Sequence, residues 1–178
     1  NVWRLHKLSN EWVFQTEQHL IRWAKNELQW VEGAGTLKFS SQIEDAVIVQ
    51  DLQHGLHRYQ NGQLKALPHS ENLPPTEVWS CLALNDTQWL IITLTDGAFL
   101  YDQHSLRPWN TPASQFLIDY SSLGGTRLTN GLFVFNTILN GYIIADAEGK
   151  IVQHTNRNKG LLNDTVLRSY ESESGLIW

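Results

Sequence analysis

Cysteine and charge are both scarce in this chain of 178 residues. Its one cysteine, Cys81, excludes an internal disulfide, and the apolar stretch 78–84 around it predicts a small core side chain instead of a reactive thiol. Only 17% of the residues are charged, the formal net charge is −5, and no run of lysine or arginine occurs. This composition argues against nucleic-acid binding through an electrostatic footprint.

Long apolar runs are also missing, because no stretch approaches the roughly 18 residues that a membrane-spanning helix needs. No signal peptide is visible in the sequence. Aromatic residues, in contrast, make up 11% of the chain and include eight tryptophans. Low charge combined with many aromatic side chains is typical of a well-packed β protein and not of a disordered chain.

A repeated pattern is the most informative feature of the sequence. Each copy is a β-rich run followed by a second short run, and the copies occupy residues 12–23, 47–59, 90–101 and 133–144. Gly55, Gly97 and Gly141 introduce the second run at intervals of 42 and 44 residues, and His19 holds the equivalent place in the first copy. A period of about 40 to 45 residues built from short strands is typical of β-propeller blades.

We therefore predict an all-β fold of four-stranded antiparallel blades, roughly four in number, in a single propeller segment over residues 1–178. The repeats are placed approximately at residues 1–35, 36–77, 78–123 and 124–164, with the start of a next repeat at 165–178. The chain begins and ends inside this pattern, so we expect it to be a fragment of a larger propeller.

Local patterns favour strands throughout, and no helix is predicted. Residues 17–31 contain helix-forming side chains, but their place in the repeat favours a strand, a turn at Lys25-Asn26 and a second strand. Residues 165–171 alternate in polarity and predict a further strand. The proline-containing stretch 68–75 is interpreted as a long connection between blades.

The tryptophans recur at related places in the repeat. Trp12, Trp89 and Trp178 fall on the same blade strand, and Trp79 falls on an inner strand. This recurrence predicts that they pack between blade sheets. Trp109 lies beside a proline in a polar stretch and is predicted to be the exposed one.

The last repeat carries a more specific phrase. It follows the spacing Gly-Leu-x-x-Asn-x-Val-x-x-Ile-x-Glu-Asp-x-x-Gly-x-Leu-Trp through Gly160, Leu161, Asn163 or Asp164, Val166, Tyr170, Glu171, Gly175 and Trp178. This phrase resembles the repeat of the two-component regulator propeller family. The resemblance covers the whole chain in period but only the last repeat in sequence.

That resemblance implies the periplasmic sensor region of a bacterial receptor of the hybrid histidine kinase or diguanylate cyclase type. In such receptors a β-sandwich, a transmembrane helix and a cytoplasmic output domain normally follow the propeller. The resemblance thus implies a segment that is neither an enzyme nor membrane-spanning, although its parent may carry a kinase or cyclase. A dimer of the parent receptor is also expected.

No set of residues converges on catalysis in the sequence. His54 and His57 could pair on a metal ion, but their place beside a glycine favours a surface turn. Residues 44–45 are two adjacent acids, too few for a calcium loop, and residues 124–126 lack the lysine of a phosphate loop. We predict no catalytic residue, no metal site and no cofactor.

Candidate ligand-binding residues come from the loops between second and third strands and from those between blades. In a propeller both sets lie on one face around the central channel, which is the usual ligand site. Polar side chains there suit a carbohydrate-like or peptide-like ligand, with capping of strand ends as the alternative role. The candidates are Gln50, Asp51, Thr93, Asp96, Asn136, Asn140, Asn163, Asp164 and Thr165.

Three functions stay open at this point. The favoured one is a non-catalytic propeller that senses an unknown small ligand. The second is a scaffold for protein partners, although the Gly-His and Trp-Asp phrases of WD-type blades do not recur. The third is a carbohydrate-active propeller enzyme, which would need paired acids or a Tyr/His set converging at the channel.

Overall fold

The structure, a computed structural model, describes residues 1–32 and 35–178. These residues form four antiparallel sheets of four strands each. Strands that follow one another in the chain are neighbours in every sheet, so each sheet is a meander. This arrangement confirms the all-β class and the four-stranded antiparallel blades that the repeat predicts.

The sheets are named blades 1 to 4 in chain order, and the strands are numbered β1 to β16. Blade 1 contains β1 (Arg4–Lys7), β2 (Trp12–Gln15), β3 (His19–Ala24) and β4 (Glu27–Glu32). Blade 2 contains β5 (Leu37–Ile43), β6 (Ala46–Asp51), β7 (Gly55–Gln60) and β8 (Gln63–Ala66). Blade 3 contains β9 (Val78–Ala83), β10 (Trp89–Thr93), β11 (Ala98–Tyr101) and β12 (Leu106–Pro108). Blade 4 contains β13 (Ser122–Arg127), β14 (Phe133–Thr137), β15 (Tyr142–Ala145) and β16 (Ile151–Thr155).

The chain divides into two compact units. Unit 1 comprises Asn1–Glu77 and Gln103–Leu106, and unit 2 comprises Val78–Asp102 and Arg107–Trp178. Blades 1 and 2 therefore lie in unit 1, and blades 3 and 4 belong to unit 2 apart from the first residue of β12.

The core of unit 1 lies between its two sheets. Val13 and Leu20 of blade 1 pack against Val47, Val49 and Tyr59 of blade 2, and all five side chains are fully buried. Shielding an aliphatic or aromatic side chain of this size from water contributes roughly 1.5–3 kcal/mol. Stacking of one sheet on the next is therefore what stabilises each blade of this unit.

The core of unit 2 lies between blades 3 and 4. Leu90 and Ile92 of β10 pack with Phe133 and Phe135 of β14, and all four are fully buried. β14 is buried on both faces along its whole length. Its first three residues, Phe133, Val134 and Phe135, form the continuous apolar run that is typical of a strand covered on both sides.

The turn between β3 and β4 consists of Lys25 and Asn26. Both residues adopt a left-handed backbone, with φ of 52° and 63°. Two consecutive residues of this conformation suit a tight hairpin turn between twisted strands. The predicted strand, turn and strand over residues 17–31 are thus confirmed, because pairing in the sheet overrides the helix-forming composition.

The expectation of no helix is wrong. Helix α1 (Pro112–Tyr120) lies between β12 and β13, where Thr111 accepts the N–H of Ser114 at 3.2 Å in the N-cap position. Pro112 occupies the first turn, where its missing N–H costs nothing. The fully buried Leu117 joins the unit 2 core. Among the described residues, no helix is long and apolar enough to span a membrane.

Two tryptophan predictions are wrong. Trp109 is only 5% exposed, and its ring centroid lies 6.0 Å from that of Phe135 in the unit 2 core. The helix that follows it carries the chain back onto the sheet and draws the indole inside. Trp178, in contrast, is 76% exposed. Trp12, Trp79 and Trp89 are half-buried, so their prediction as packing residues holds only in part.

The predicted strand over residues 165–171 is also wrong in detail. This stretch forms no strand, and its sheet-like pairing is a bridge between Glu171 and Ile177 at its end. The N–H of Tyr170 donates to the carbonyl of Trp178 at 2.9 Å, and the reverse bond measures 2.8 Å. The segment packs Ile177 on blade 4. Elsewhere the segment is joined to blade 4 by single bonds, such as that from the N–H of Val166 to the carbonyl of Thr137 at 3.0 Å, and no regular strand forms.

Candidate functional site

In each blade, a side chain at the end of the second strand, or one residue after it in the case of Thr16 in blade 1, caps the turn into the third strand. In blade 3, the hydroxyl of Thr93 donates to the carbonyl of Gly97 at 2.8 Å and accepts the N–H of Asp96 at 3.0 Å. In blade 4, the hydroxyl of Thr137 bonds the carbonyl of Gly141 in the same way, at 2.8 Å. These buried hydroxyl groups hold the turns from inside.

Blade 2 uses a carboxylate at the same place. Oδ1 of Asp51 accepts the N–H groups of Gln53 at 2.8 Å and His54 at 3.2 Å. Asp51 is 1% exposed, and its Oδ2 has no hydrogen-bond partner among residues 1–32 and 35–178. The Nδ1 atom of His54 lies 3.2 Å from Oδ2, close enough for an ion pair when the imidazole is protonated. Asp51 is thus a structural cap with one carboxylate oxygen left over.

These turns adjoin the connections that lead into the next blade. The N–H of Leu37, at the start of β5, donates to the carbonyl of Glu17 in the blade 1 turn at 2.7 Å. In unit 2, the N–H of Ser122 donates to the carbonyl of Leu94 at 2.8 Å. Within each unit, the turns and the connections between blades therefore share one face, here called the turn face.

A concavity of about 430 Å³ opens on the turn face of unit 1. It lies between the β6–β7 turn and the connection that follows β8. Its lining residues are Gln50, Asp51, Leu52, Gln53, Gly55, Ser70, Glu71, Leu73, Pro74, Pro75 and Thr76.

The walls of this concavity are fixed by internal hydrogen bonds. The amide of Gln50 donates to the carbonyl of Thr76 at 2.8 Å. The buried hydroxyl of Ser70 accepts the N–H of Leu56 at 2.9 Å and lies 2.7 Å from the carbonyl of Leu67, to which it can donate. These bonds attach the connection to the sheet, so the concavity is preformed. The side chains of Gln53 and Glu71 at its rim are exposed and available to a ligand.

The two histidines next to this site differ in their surroundings. His54 is exposed, whereas His57 is buried in β7. Burial lowers the pKa of His57, and the nearby Asp51 carboxylate opposes that shift. Across the described residues, no group of three or more His, Cys, Asp or Glu side chains is placed to hold a metal ion.

A second polar cluster surrounds the β14–β15 turn of unit 2. The side-chain oxygen of Asn140 accepts a hydrogen bond from the side-chain amide of Asn156 at 2.9 Å. The backbone carbonyl of Asn140 lies 3.0 Å from Nε2 of His154. The carboxylate of Asp164 accepts the N–H of Arg157 at 2.8 Å. These groups mainly satisfy one another and the backbone.

The remaining candidates of blade 4 attach the terminal segment to the sheet. The hydroxyl of Thr165 donates to the carbonyl of Ile138 at 2.8 Å, and its N–H donates to Asn163 at 3.0 Å. Asn136 is 2% exposed and accepts the hydroxyl of Ser169 at 2.6 Å. All three positions therefore serve the junction between blade 4 and residues 165–178.

The nine sequence-predicted residues thus fall into three groups. Gln50 and Asp51 share the concavity of unit 1, and Thr93 and Asp96 lie on the blade 3 turn of unit 2. The other five surround the β14–β15 turn. The part of all nine residues in ligand binding stays a prediction.

Sequence reasoning missed the connection that forms half of the concavity. Ser70, Glu71, Pro74 and Thr76 all line it, yet none was a candidate. The available signal was the length and proline content of residues 68–75. Because connections between blades lie on the turn face, this stretch belonged with the β6–β7 turn.

The Gly124-Gly125 pair has a packing role between β9 and β13. The N–H of Gly125 donates to the hydroxyl of Ser80 at 2.7 Å. A Cβ atom on Gly124 would lie 2.9 Å from the carbonyl oxygen of Trp79 on β9. Such a distance is too short for any side chain, so glycine is needed for the close approach of the two strands.

Comparison with known proteins finds likeness in fold alone. No family model and no curated protein matches the chain. The extracellular domain of BT3049 from B. thetaiotaomicron, assigned to a hybrid two-component system, aligns with a TM-score of 0.76 at 15% identity, over 99% of this chain and 25% of that one. BT4673 from B. thetaiotaomicron, an extracellular domain assigned to a one-component system, gives 0.74 at 16% identity, over 100% and 26%.

A second kind of propeller is similar as well. The WD40 β-propeller domain of Doa1 aligns with a TM-score of 0.72 at 15% identity, over 99% of this chain and 59% of that domain. The chain thus spans about a quarter of the two B. thetaiotaomicron domains. Together with the four meander sheets, these alignments place the chain in the β-propeller fold.

Proposed function

We propose that this chain is a non-catalytic, ligand-sensing propeller segment of a bacterial signal-transduction receptor, on the extracytoplasmic side of the inner membrane. The observation that carries the proposal is the preformed concavity of about 430 Å³ on the turn face of unit 1. The fold likeness to extracellular domains of bacterial two-component and one-component systems supports the cellular setting.

The chemistry of the concavity favours a ligand that donates hydrogen bonds. Asp51 and Glu71 supply carboxylates, and Gln53 adds an amide at the rim. None of the described lining residues is a lysine or an arginine. Pro74 and Pro75 provide rigid apolar contacts. Hydroxyl groups of a carbohydrate, or amide and amine groups of a peptide, match this combination.

Sensing requires that the ligand bind one arrangement of the site better than another. The concavity is formed by two separate segments, the β6–β7 turn and residues 70–76. A ligand that contacts both fixes their spacing. Because Thr76 lies two residues before β9, fixing this connection is a direct route from the ligand to the rest of the propeller.

The proposal is tested by measuring ligand-induced stabilisation of the whole extracytoplasmic region that contains this chain. A panel of oligosaccharides and short peptides is screened by thermal unfolding, since a ligand that binds only the folded state raises the Tm with concentration. We expect one of these classes to do so. The variant Glu71→Gln should lower the affinity for that ligand at least fivefold, as measured by titration calorimetry.

The matched control is Glu173→Gln, which removes an exposed carboxylate from residues that do not line the concavity. It should leave the affinity unchanged. Equal loss of binding in both variants, or no stabilisation by any member of the panel, would contradict the proposed site.

A scaffold for protein partners is the second candidate function. It is favoured by exposed apolar side chains after blade 4, where Leu162 is 99% exposed and Leu167, in the terminal segment, is 75% exposed. Affinity purification with the Leu167→Asp variant distinguishes the two functions. A scaffold loses its partner in this variant, whereas ligand binding at the concavity is retained.

A further inference from the structure

The outward side of blade 1 is an unusually apolar surface, here called the open face. Two rows of paired residues cross the sheet on this side, one through Leu5, Phe14, Ile21 and Trp30 and one through Lys7, Trp12, Trp23 and Leu28. Trp23 is 40% exposed, and Leu28 and Trp30 are each 65% exposed. Seven of these eight side chains are apolar, which is not expected of a surface in permanent contact with water.

The equivalent positions in the other blades are buried. Phe14 lies two residues before Thr16, whose hydroxyl caps the turn that follows the second strand. The residues two places before the corresponding caps of blades 2, 3 and 4 are Val49, Ile91 and Phe135. All three are fully buried, whereas Phe14 is only partly buried. The open face therefore carries apolar side chains at positions where the other three blades bury theirs.

The third strand gives the same result. Trp23 pairs with Trp12, and the residue at that position of blade 2 is Tyr59, which pairs with Val47. Tyr59 is fully buried. An aromatic side chain stands at this position in both sheets, but within the part of the chain that the structure describes only the one in blade 2 is covered by another sheet.

Within each unit, the structure shows which sheet packs on the equivalent face. In unit 1, Val13 and Leu20 of blade 1 lie on the blade 2 residues Val49 and Tyr59. In unit 2, Ile92 of blade 3 lies with Phe133 and Phe135 of blade 4 in one core. In both cases, the cover is the opposite face of the preceding four-stranded sheet.

We propose that the open face of blade 1 is an interface between blades, and that its occupant is a further four-stranded blade of the same polypeptide. The face continues the two interfaces just described, since its rows occupy the same strand positions as their buried residues. It extends over all four strands, which matches a sheet better than a single helix or peptide. This inference holds whatever ligand the turn face binds.

The open face also specifies part of the chemistry of its occupant. In unit 1, the hydroxyl of Ser40 on β5 donates to the side-chain oxygen of Gln15 on the preceding blade at 2.5 Å. Leu5 stands at the matching position of β1, because it pairs with Phe14 as Ser40 pairs with Val49. The occupant should therefore present an apolar side chain at the place of Gln15, since a buried amide there would lack its partner.

Native-state thiol labelling of the full-length polypeptide tests this proposal. Leu28→Cys places a thiol on the open face, and Leu162→Cys places one at a position that is 99% exposed. Cys81 is buried and contributes little background, and other reactive cysteines of the polypeptide are replaced. We expect the thiol at position 28 to react with a maleimide at least tenfold more slowly than the thiol at position 162.

Further measurements separate the possible occupants. Protection that does not change on dilution supports a blade of the same chain, whereas protection lost on dilution assigns the face to a second copy and overturns the proposal. Equal labelling rates at positions 28 and 162 overturn it as well, as does a gene that encodes no further blade. Unfolding in urea before labelling must equalise the two rates, which confirms that both thiols are intrinsically reactive.

Discussion

The outward faces of blade 1 and blade 4, which do not pack on the other sheet of their own unit, differ in their contact with water. On blade 4, Val134 and Ile144 are buried beneath the terminal segment, with Ile177 packed against them. On blade 1, the open face leaves Trp23 and Leu28 substantially exposed. The terminal segment, residues 165–178, accounts for part of this difference because Ile177 packs on blade 4. Burial in this fold is therefore a property of stacking, and the strand pattern of one sheet does not secure it.

The largest effect that this comparison predicts concerns two phenylalanines at the same strand position. Phe135→Ala should reduce the free energy of unfolding of blade 4 by about 3–5 kcal/mol, because Phe135 is fully buried. Phe14→Ala on the open face should cost only about 1–2 kcal/mol in the isolated chain, because the ring is partly exposed. Hydrogen exchange of peptides from β14 and β2 measures both effects.

The same pair of variants sharpens the proposal for the open face. In the full-length polypeptide, the cost of Phe14→Ala should rise toward that of Phe135→Ala, because a stacked blade removes the ring from water. Equal costs of the two variants in the isolated chain would contradict the comparison.

A somewhat smaller effect concerns pH and the covered side of blade 1. Burial, aided by the nearby charge of Arg4, lowers the pKa of His6 to about 4. His6 lies 2.7 Å from the hydroxyl of Ser40, through Nε2. Between pH 6.5 and 4 the unfolded chain binds more protons at this histidine than the folded chain does, so stability falls as the pH falls through this window. The loss should reach about 3 kcal/mol near pH 4.

Urea unfolding of unit 1 between pH 7 and pH 4 measures this dependence. His6→Gln should remove the part of the slope that lies between pH 6.5 and 4, whereas His104→Gln, at an exposed position of the same unit, serves as the matched control. An unchanged slope in His6→Gln would show that the covered face of blade 1 admits the proton without cost.

The smallest effect concerns the polar junction beneath the terminal segment. Asn136→Ala removes the acceptor of the Ser169 hydroxyl, which is buried with it. Leaving a buried hydroxyl without its partner costs about 1–3 kcal/mol. The terminal segment should therefore exchange its amide hydrogens faster, as measured for residues 165–178 by mass spectrometry. Gln115→Ala, which breaks an exposed side-chain bond to Asp119, should leave that exchange unchanged.

The sequence was sufficient to predict the strands and turns wherever the repeat fixes their positions. The strand, turn and strand at residues 17–31 were predicted correctly against local propensity, because sheet pairing determines the outcome there. The helix at Pro112–Tyr120 was missed, since it is an insertion that the repeat does not encode. Its local signal, Thr111 followed by proline, is a helix start of an ordinary kind. Trp109 was misjudged for the same reason, because the helix carries it inward.

The candidate site was predictable only in part. The turn residues Gln50 and Asp51 were found because turn and blade order follow from the repeat. The opposite wall, residues 70–76, has no periodicity, and its position depends on the hydrogen bonds of Ser70 and Gln50. Strand position indicates which side chains meet at a sheet end, whereas the path of a long connection is decided by tertiary contacts.

The capping residues at the ends of the second strands have a consequence for how such a protein can diversify. The hydroxyl groups of Thr93 and Thr137 bond the backbone of their own turns. The conformation of each turn therefore depends little on the side chains within it. The exposed side chains between cap and glycine, such as Asp96 and Leu139, can then be exchanged without unfolding the blade. New recognition can be selected one loop at a time on a scaffold whose structure does not have to change.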